Sequence, residues 1–252
     1  MPTVKEIYSY INSLAPFNTQ ESWDNSGLLL GNPDRQVNRV SLVLDATLKT
    51  VAAAKQNGAD LMVTHHPVIF SPTKKILAGS VVYELLTSGI SAISAHTCLD
   101  SAQGGVNDTL AELLGLEGIE PLELDGTDTP LVRTGKLPHT MSGEEFAVYV
   151  KERLGCNLRL ADAGKPINTV AVCGGSLSSL TYELIGKVDA FVTGDLTHHY
   201  FIDAAESGLT AIAAGHFETE NPVMNVLKAK LEKQFPETEF TLINQENPVK
   251  YF

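Results

Sequence analysis

The chain has 252 residues, 43% of them hydrophobic and 19% charged. That is enough apolar material for a full core, and it excludes a disordered or low-complexity chain. Its 18 basic and 30 acidic residues leave a formal charge of −12, with no run of Lys and Arg, so a phosphate backbone would repel it and broad nucleic-acid binding is not expected.

A first helix is predicted from about Thr3 to Leu14, stopped before Pro16, with a loop holding Trp23 and Gly27 after it. RVSLVLDAT, β-branched and running to Asp45, reads as a strand, and LKTVAAAKQNG as a helix closed by Gly58. ADLMVTHH is a short apolar strand. After a loop around Pro72 come a helix, VVYELLTSG, and a strand, ISAISAH. VNDTLAELLGL is a helix that Asn107 or Asp108 could cap. From Glu120 to Pro138 the sequence turns polar and proline-dotted, the best candidate for a boundary. A first domain of residues 1–125 with 217–252, and a second of residues 126–216, are expected on that basis.

Ser142 and Glu145 form an S-x-x-E capping box for EEFAVYVKERLG. NTVAVCGG is then a strand, SSLTYELIGK a helix, DAFVTGD a strand, HHYFIDAAESG a helix and LTAIAAGH a strand. A helix through VMNVLKAKLEKQF and a strand, EFTLINQ, close the chain. Strands alternating with helices argue for parallel βαβ units and an α/β fold.

The histidines follow this pattern. His65 and His66 end one strand, and His96 ends the next, with Asp100 four residues on. Asp195, His198 and His199 follow a third strand, and His216 follows a fourth, with Glu218 and Glu220 beyond it. Six of the seven histidines thus lie just past the C-terminal ends of predicted strands, where ligands bind in open α/β sheets. A lone histidine after a strand is ordinarily a solvated or hydrogen-bonded residue. Four clusters at four strand ends point instead to a metal site. Imidazole with carboxylate suits Zn, Fe, Mn, Co or Ni. Neighbouring residues at a strand end point in different directions, so His65 and His66 could serve two ions about 3.5–4 Å apart. Pro222 is a good first helical residue, so His216 and Glu220 are expected on a turn leading into the last helix.

Other features are plainer. VAVCGGSLSS lacks both G-x-G-x-x-G and a Walker lysine and reads as a tight turn with Ser178 or Ser179 as helix cap. Cys173 reads as packing, and SWDNSGLLLG as a structural turn or a pocket wall. No G-x-S-x-G elbow is present. Cys98, Cys156 and Cys173 form no CxxC pair, so neither disulfides nor a thiolate zinc site are indicated, and free thiols suit a reducing compartment. The N-terminal residues lack the apolar core of a signal peptide, and no stretch approaches a membrane span. The expected location is cytoplasmic.

ESWDNSGLLLGNP, ADLMVTHHPVIF, SAHTCLDSAQGGVNDTLAELLGL, DAFVTGDLTHHYFIDAAESGL, AGHFETE and the closing NPVKYF together resemble the NIF-three-like family. Its bacterial members are often catalogued as GTP cyclohydrolase I type 2 homologues. The resemblance runs through essentially the whole chain, in the short form without an inserted domain. It implies two α/β domains, a dinuclear metal centre in the cleft between them, and a toroidal homohexamer. Carried over motif by motif, it implies His65 and His66 as ligands, one to each of two divalent ions, with Asp100, His216 and, as the bridge, Glu220. Cys98 falls at a variable place in its motif and is not implied as a ligand.

The cyclohydrolase name implies a metal-dependent hydrolase acting on a small, nucleotide-like substrate. His96, Asp195, His198 and His199 are then candidates for orienting ligands or moving protons, although His198 and His199 could equally be solvated residues at a helix start. No Arg or Lys cluster near these motifs is available to hold a triphosphate. The competing reading is a metal-binding, regulatory or metal-delivery ring without turnover.

Overall fold

The computed structural model describes residues 1–124 and 129–250. The chain runs through α1 (Val4–Leu14), a short 3-10 turn (Phe17–Thr19), β1 (Gly27–Leu30), β2 (Arg39–Val43), α2 (Leu48–Gln56), β3 (Leu61–Thr64), α3 (Val81–Thr87), β4 (Ser91–Ser94) and α4 (Thr97–Ser101). It continues with α5 (Val106–Leu113), β5 (Glu117–Leu122), β6 (Val132–Met141), α6 (Gly143–Leu154), β7 (Arg159–Ala161), β8 (Ile167–Cys173) and α7 (Leu180–Leu184). The last elements are β9 (Ala190–Thr193), α8 (His198–Glu206), β10 (Thr210–Ala213), α9 (His216–Glu220), α10 (Val223–Gln234) and β11 (Glu239–Leu242). These elements form two compact units. One takes Met1–Gln103 and Val223–Pro248, and the other takes Gly104–Pro222 with Val249 and Lys250.

In the first unit the strand order is β1-β4-β3-β2-β11. β11, β2, β3 and β4 run parallel, and β1 lies antiparallel on β4. Consecutive residues of β3, Leu61, Met62 and Val63, are all buried, as expected of parallel strands covered on both faces. Thr3 and Glu6 form a capping box at the start of α1, which buries Val4, Ile7 and Ile11 as a single stripe. Gly58 after α2 adopts φ 66°, a left-handed residue that ends the helix at little steric cost.

In the second unit the order is β5-β6-β8-β9-β10-β7. β8, β9 and β10 are parallel, whereas β5, β6 and β7 are antiparallel to their neighbours. Strand side chains alternate between faces, and here each face has its own core. Val170, Val172, Val192 and Ile212 pack with Leu110, Phe146 and Val150. Ala171, Cys173, Phe191 and Ala211 pack with Leu184, Ala204 and Leu209. Cys173 is therefore core packing. The expected box of Ser142 and Glu145 caps α6.

Several local expectations are corrected. The polar stretch from Glu120 to Pro138 is no linker over its described residues. Glu120–Leu122 pair with Val132–Thr134 across β5 and β6, while the expected junction at 125/126 lies outside the described residues. α5 and β5 lie in the second unit, because β5 is bonded into that sheet and α5 packs on β6 and β8. Neither Asn107 nor Asp108 caps α5, whose N-cap is Gly105. The Asn107 amide instead spans two loops, donating to Leu131 O at 2.6 Å and accepting from Gly174 N at 2.7 Å. Ser179 sits at the α7 N-cap position without a side-chain bond, and Ser178 donates to Asp195 O. GLLL, read as part of a turn, is β1.

Candidate metal centre

In the first unit β2, β3 and β4 are parallel neighbours, so their C-terminal ends share one sheet edge. Asp45, His65, His66 and His96 follow those ends. His65 is fully buried, with Nδ1 2.8 Å from Ala95 O beyond β4. His66 has Nδ1 2.6 Å from Asp45 Oδ1 beyond β2. The two rings find different partners for Nδ1 while staying neighbours, with centroids 5.0 Å apart. Gln245 holds Asp45 in turn, its Nε2 donating to Oδ2 at 2.7 Å.

His96 has Nδ1 2.8 Å from Asp24 Oδ1. The Asp24 side chain has no solvent exposure, and its other oxygen accepts from Thr97 N, Thr97 Oγ1 and Ser26 Oγ. Burial alone would raise the Asp24 carboxyl, but the bonds from His96 and Thr97 outweigh it and hold the group well below the usual carboxylate range. The rings of His65, His66 and His96 lie with centroids 5.0–5.4 Å apart. One ring nitrogen from each falls within 4.8 Å of the others. Asp100, on α4, brings Oδ1 to 3.5 Å from His65 Nε2.

The second unit carries a smaller set. His216 opens α9 directly after Gly215, which has φ 95°. Its Nδ1 lies 2.8 Å from Asp195 Oδ2 beyond β9, and its Nε2 lies 3.1 Å from Glu220 Oε2. Glu220 is buried. Glycines make room for it. A Cβ on Gly175, which has φ +68°, would collide with Glu220 Oε1, and one on Gly194 would lie 2.8 Å from His216 Cα. The turn after β8 is therefore glycine-rich because a carboxylate approaches it. His216 and Glu220 are not on an open turn as expected. They are the ends of a one-turn helix, and Pro222, with no N–H to continue its ladder, separates that helix from α10.

A carboxylate or carbonyl oxygen can only accept, so each of the four Nδ1 atoms donates, which makes Nε2 the nitrogen that would meet a metal. This is the orienting arrangement typical of metal-bound histidine, and with nearby carboxylates it fits a mid-row divalent ion. These His and Glu residues could hold a metal ion. Asp24 and Asp45 escaped the sequence reading as site residues. Asp45 carried a signal, since it ends a strand as the histidines do. Asp24 carried none beyond its place in SWDN. Asp195, expected near a metal site, accepts from His216 Nδ1. His198 and His199 open α8, where the His199 ring lies tilted against Tyr200 with centroids 4.1 Å apart, and His139 sits exposed in β6. Cys98 is buried, and that burial pushes its thiol up to about 11, the state of a packed thiol.

Residues 2–248 match the family described as Duf34/NIF3 (NGG1p interacting factor 3). A Streptomyces coelicolor protein named GTP cyclohydrolase 1 type 2 homolog is 37% identical over 92% of this chain and 87% of its own length. The crystal structure of a Staphylococcus aureus hypothetical protein superposes with a TM-score of 0.90 at 26% identity, covering 99% of both chains. A Bacillus cereus protein related to NIF3 superposes at 0.92, covering 100% of this chain and 99% of that one. At 22% identity, the last speaks to fold alone. No helix of the described residues is long and apolar enough to cross a membrane.

Proposed function

The chain belongs to the Duf34/NIF3 family, and we propose that it is a divalent-metal-dependent hydrolase of a small, nucleotide-like substrate. The proposed ligands are His65, His66 and Asp100 from the first unit and His216 and Glu220 from the second, serving two ions as the family resemblance implies. The observation that carries the metal reading is the uniform engagement of Nδ1 on His65, His66, His96 and His216. Bound divalent ions would supply Lewis acidity and a water acidic enough to ionise near neutral pH. The chain's own residues prepare for this. Asp45, Asp24 and Asp195 fix the rings and keep them in one tautomer, and the glycines around Glu220 admit its carboxylate. The name of the Streptomyces relative supports a nucleotide-like substrate. The same family resemblance supports a toroidal homohexamer, which sedimentation would read, and the free cysteines support a reducing, cytoplasmic location.

Elemental analysis after metal-replete preparation is expected to show at least one transition metal per chain, lost in a His65→Ala, Glu220→Ala double variant. Well under one metal per chain in the wild type would refute the metal reading. Metal-loaded protein should then turn over at least one member of a nucleotide and phosphoester panel, with that activity absent from the double variant. Equal background in both, with metal bound only by the wild type, would favour a metal-binding or delivery protein.

A further inference from the structure

Trp23 is the chain's one tryptophan. It is 52% exposed, and Phe70 is 50% exposed. The hydrophobic effect favours burying rings of this size, yet both stand open beside His96. Their centroids lie 6.0 and 6.1 Å from the imidazole, at 75° and 78° to it, and 6.0 Å from each other at 48°. The loops that carry them are pinned together. Asn25 Nδ2 donates to Ile69 O at 2.6 Å, and Asp24, between Trp23 and Asn25, holds His96 itself. Bonded neighbours thus keep the two rings at the surface in a set place next to the imidazole cluster.

We propose that Trp23 and Phe70 form a ring-binding wall that takes the flat face of a planar heteroaromatic ligand beside His96. The inference rests on the hydrolase reading above and names the part of the substrate that is recognised. Two exposed rings inclined at 48° to each other, with an imidazole about 6 Å from each, offer stacking surface and little else. Aromatic side chains accept planar heterocycles through their π-faces, with modest selectivity among them. A protein segment would need a continuous apolar surface, whereas these rings border imidazoles and carboxylates.

The single tryptophan makes the test direct. Zinc-loaded and metal-free full-length protein is titrated with guanosine as the planar probe and with ribose as the control lacking a ring system, reading tryptophan emission. Zinc binding is followed on the same samples by calorimetry. Guanosine is expected to quench emission saturably and ribose is not. Phe70→Ala, which keeps the reporter, should weaken guanosine about five- to a hundredfold, the range for loss of one stacking side chain, with zinc stoichiometry unchanged. Identical responses to guanosine and ribose, or a Phe70→Ala affinity equal to wild type, would overturn the wall. So would emission that shifts with protein concentration alone, since the rings would then be an interface between copies. Zinc binding without a guanosine response overturns this inference and leaves the metal reading intact. A guanosine response in protein that binds no zinc does the reverse.

Discussion

The two units place the same spacing, histidine and then an acid four residues on, after the strand that ends a parallel run, β4 in one and β10 in the other. They use it differently. In the second unit His216 is the first residue of α9, so Glu220 lies one turn ahead on the same helix face and meets it at 3.1 Å. In the first unit His96 is the N-cap of α4, outside the helix at φ −102°, ψ −113°. Its ring turns to Asp24, and Asp100 is met by His65 from the neighbouring strand. Capping position, and not spacing, decides whether a His-x-x-x-acid pair closes on itself. The result is one nitrogen-rich set of three imidazoles and one small set in which glycines admit a carboxylate.

Removing the orienting carboxylates should break this contrast most visibly. Loss of such partners costs about 10- to 100-fold in metal affinity. Asp45→Ala is expected at the upper end, because that carboxylate holds the proposed ligand His66 and is itself fixed by Gln245. Asp195→Ala should sit at the lower end, since its side chain is 52% exposed and water can replace it. Zinc calorimetry that ranks Asp195→Ala as the more damaging would reverse the comparison.

A smaller effect is expected at the glycine side. In Gly194→Ala the added methyl meets backbone, Gly175 O as well as His216 Cα, and cannot be relieved by a rotamer change. A loss of about 1–3 kcal/mol is expected from such overpacking, read as a lower urea midpoint. A midpoint equal to wild type would show that the second set is looser than its geometry implies.

The smallest effect sharpens what the units share. Asp60 enters β3 accepting from Asn38 N and Arg39 N, and Asp189 enters β9 accepting from Asn168 N and Thr169 N. Burial would raise both carboxyls, but these bonds, with Arg35 at Asp60 and Thr169 Oγ1 at Asp189, lower them. A lowered folded pKa gives stability that is full above the ordinary value of about 3.9 and is lost as pH falls through the folded one. Asp60→Asn and Asp189→Asn should each cost about 1 kcal/mol near neutral pH, with the gap to wild type closing in acid. A gap that persists unchanged in acid would show that the carboxylate charge is not what stabilises these loops.

Much of this was legible locally. The capping box of α6, the apolar runs of β3, β4, β9 and β10, and the histidines past their ends all follow from spacing and residue type. Two antiparallel edge strands, β5 and β7, were missed for a physical reason. β5 is mostly exposed and β7 is three residues long, so neither carries a hydrophobic period, and both exist because a neighbour offers unpaired backbone. α9 was missed because one turn of helix is too short to show a period and Pro222 masked its end.

The sequence by itself determined the α/β alternation and the placing of imidazoles at strand ends, since period 2, period 3.6 and caps act within a few residues. Only the tertiary structure decided which oxygen each imidazole meets. His96 finds Asp24, 72 positions away, while His66 finds Asp45 and His216 finds Asp195, each 21 away. Those partners are set by which strands lie side by side and in what register, a choice made by burying both faces of each sheet. A short-range pattern can announce that a histidine stands at an edge. It takes the assembled sheet to say which carboxylate turns it.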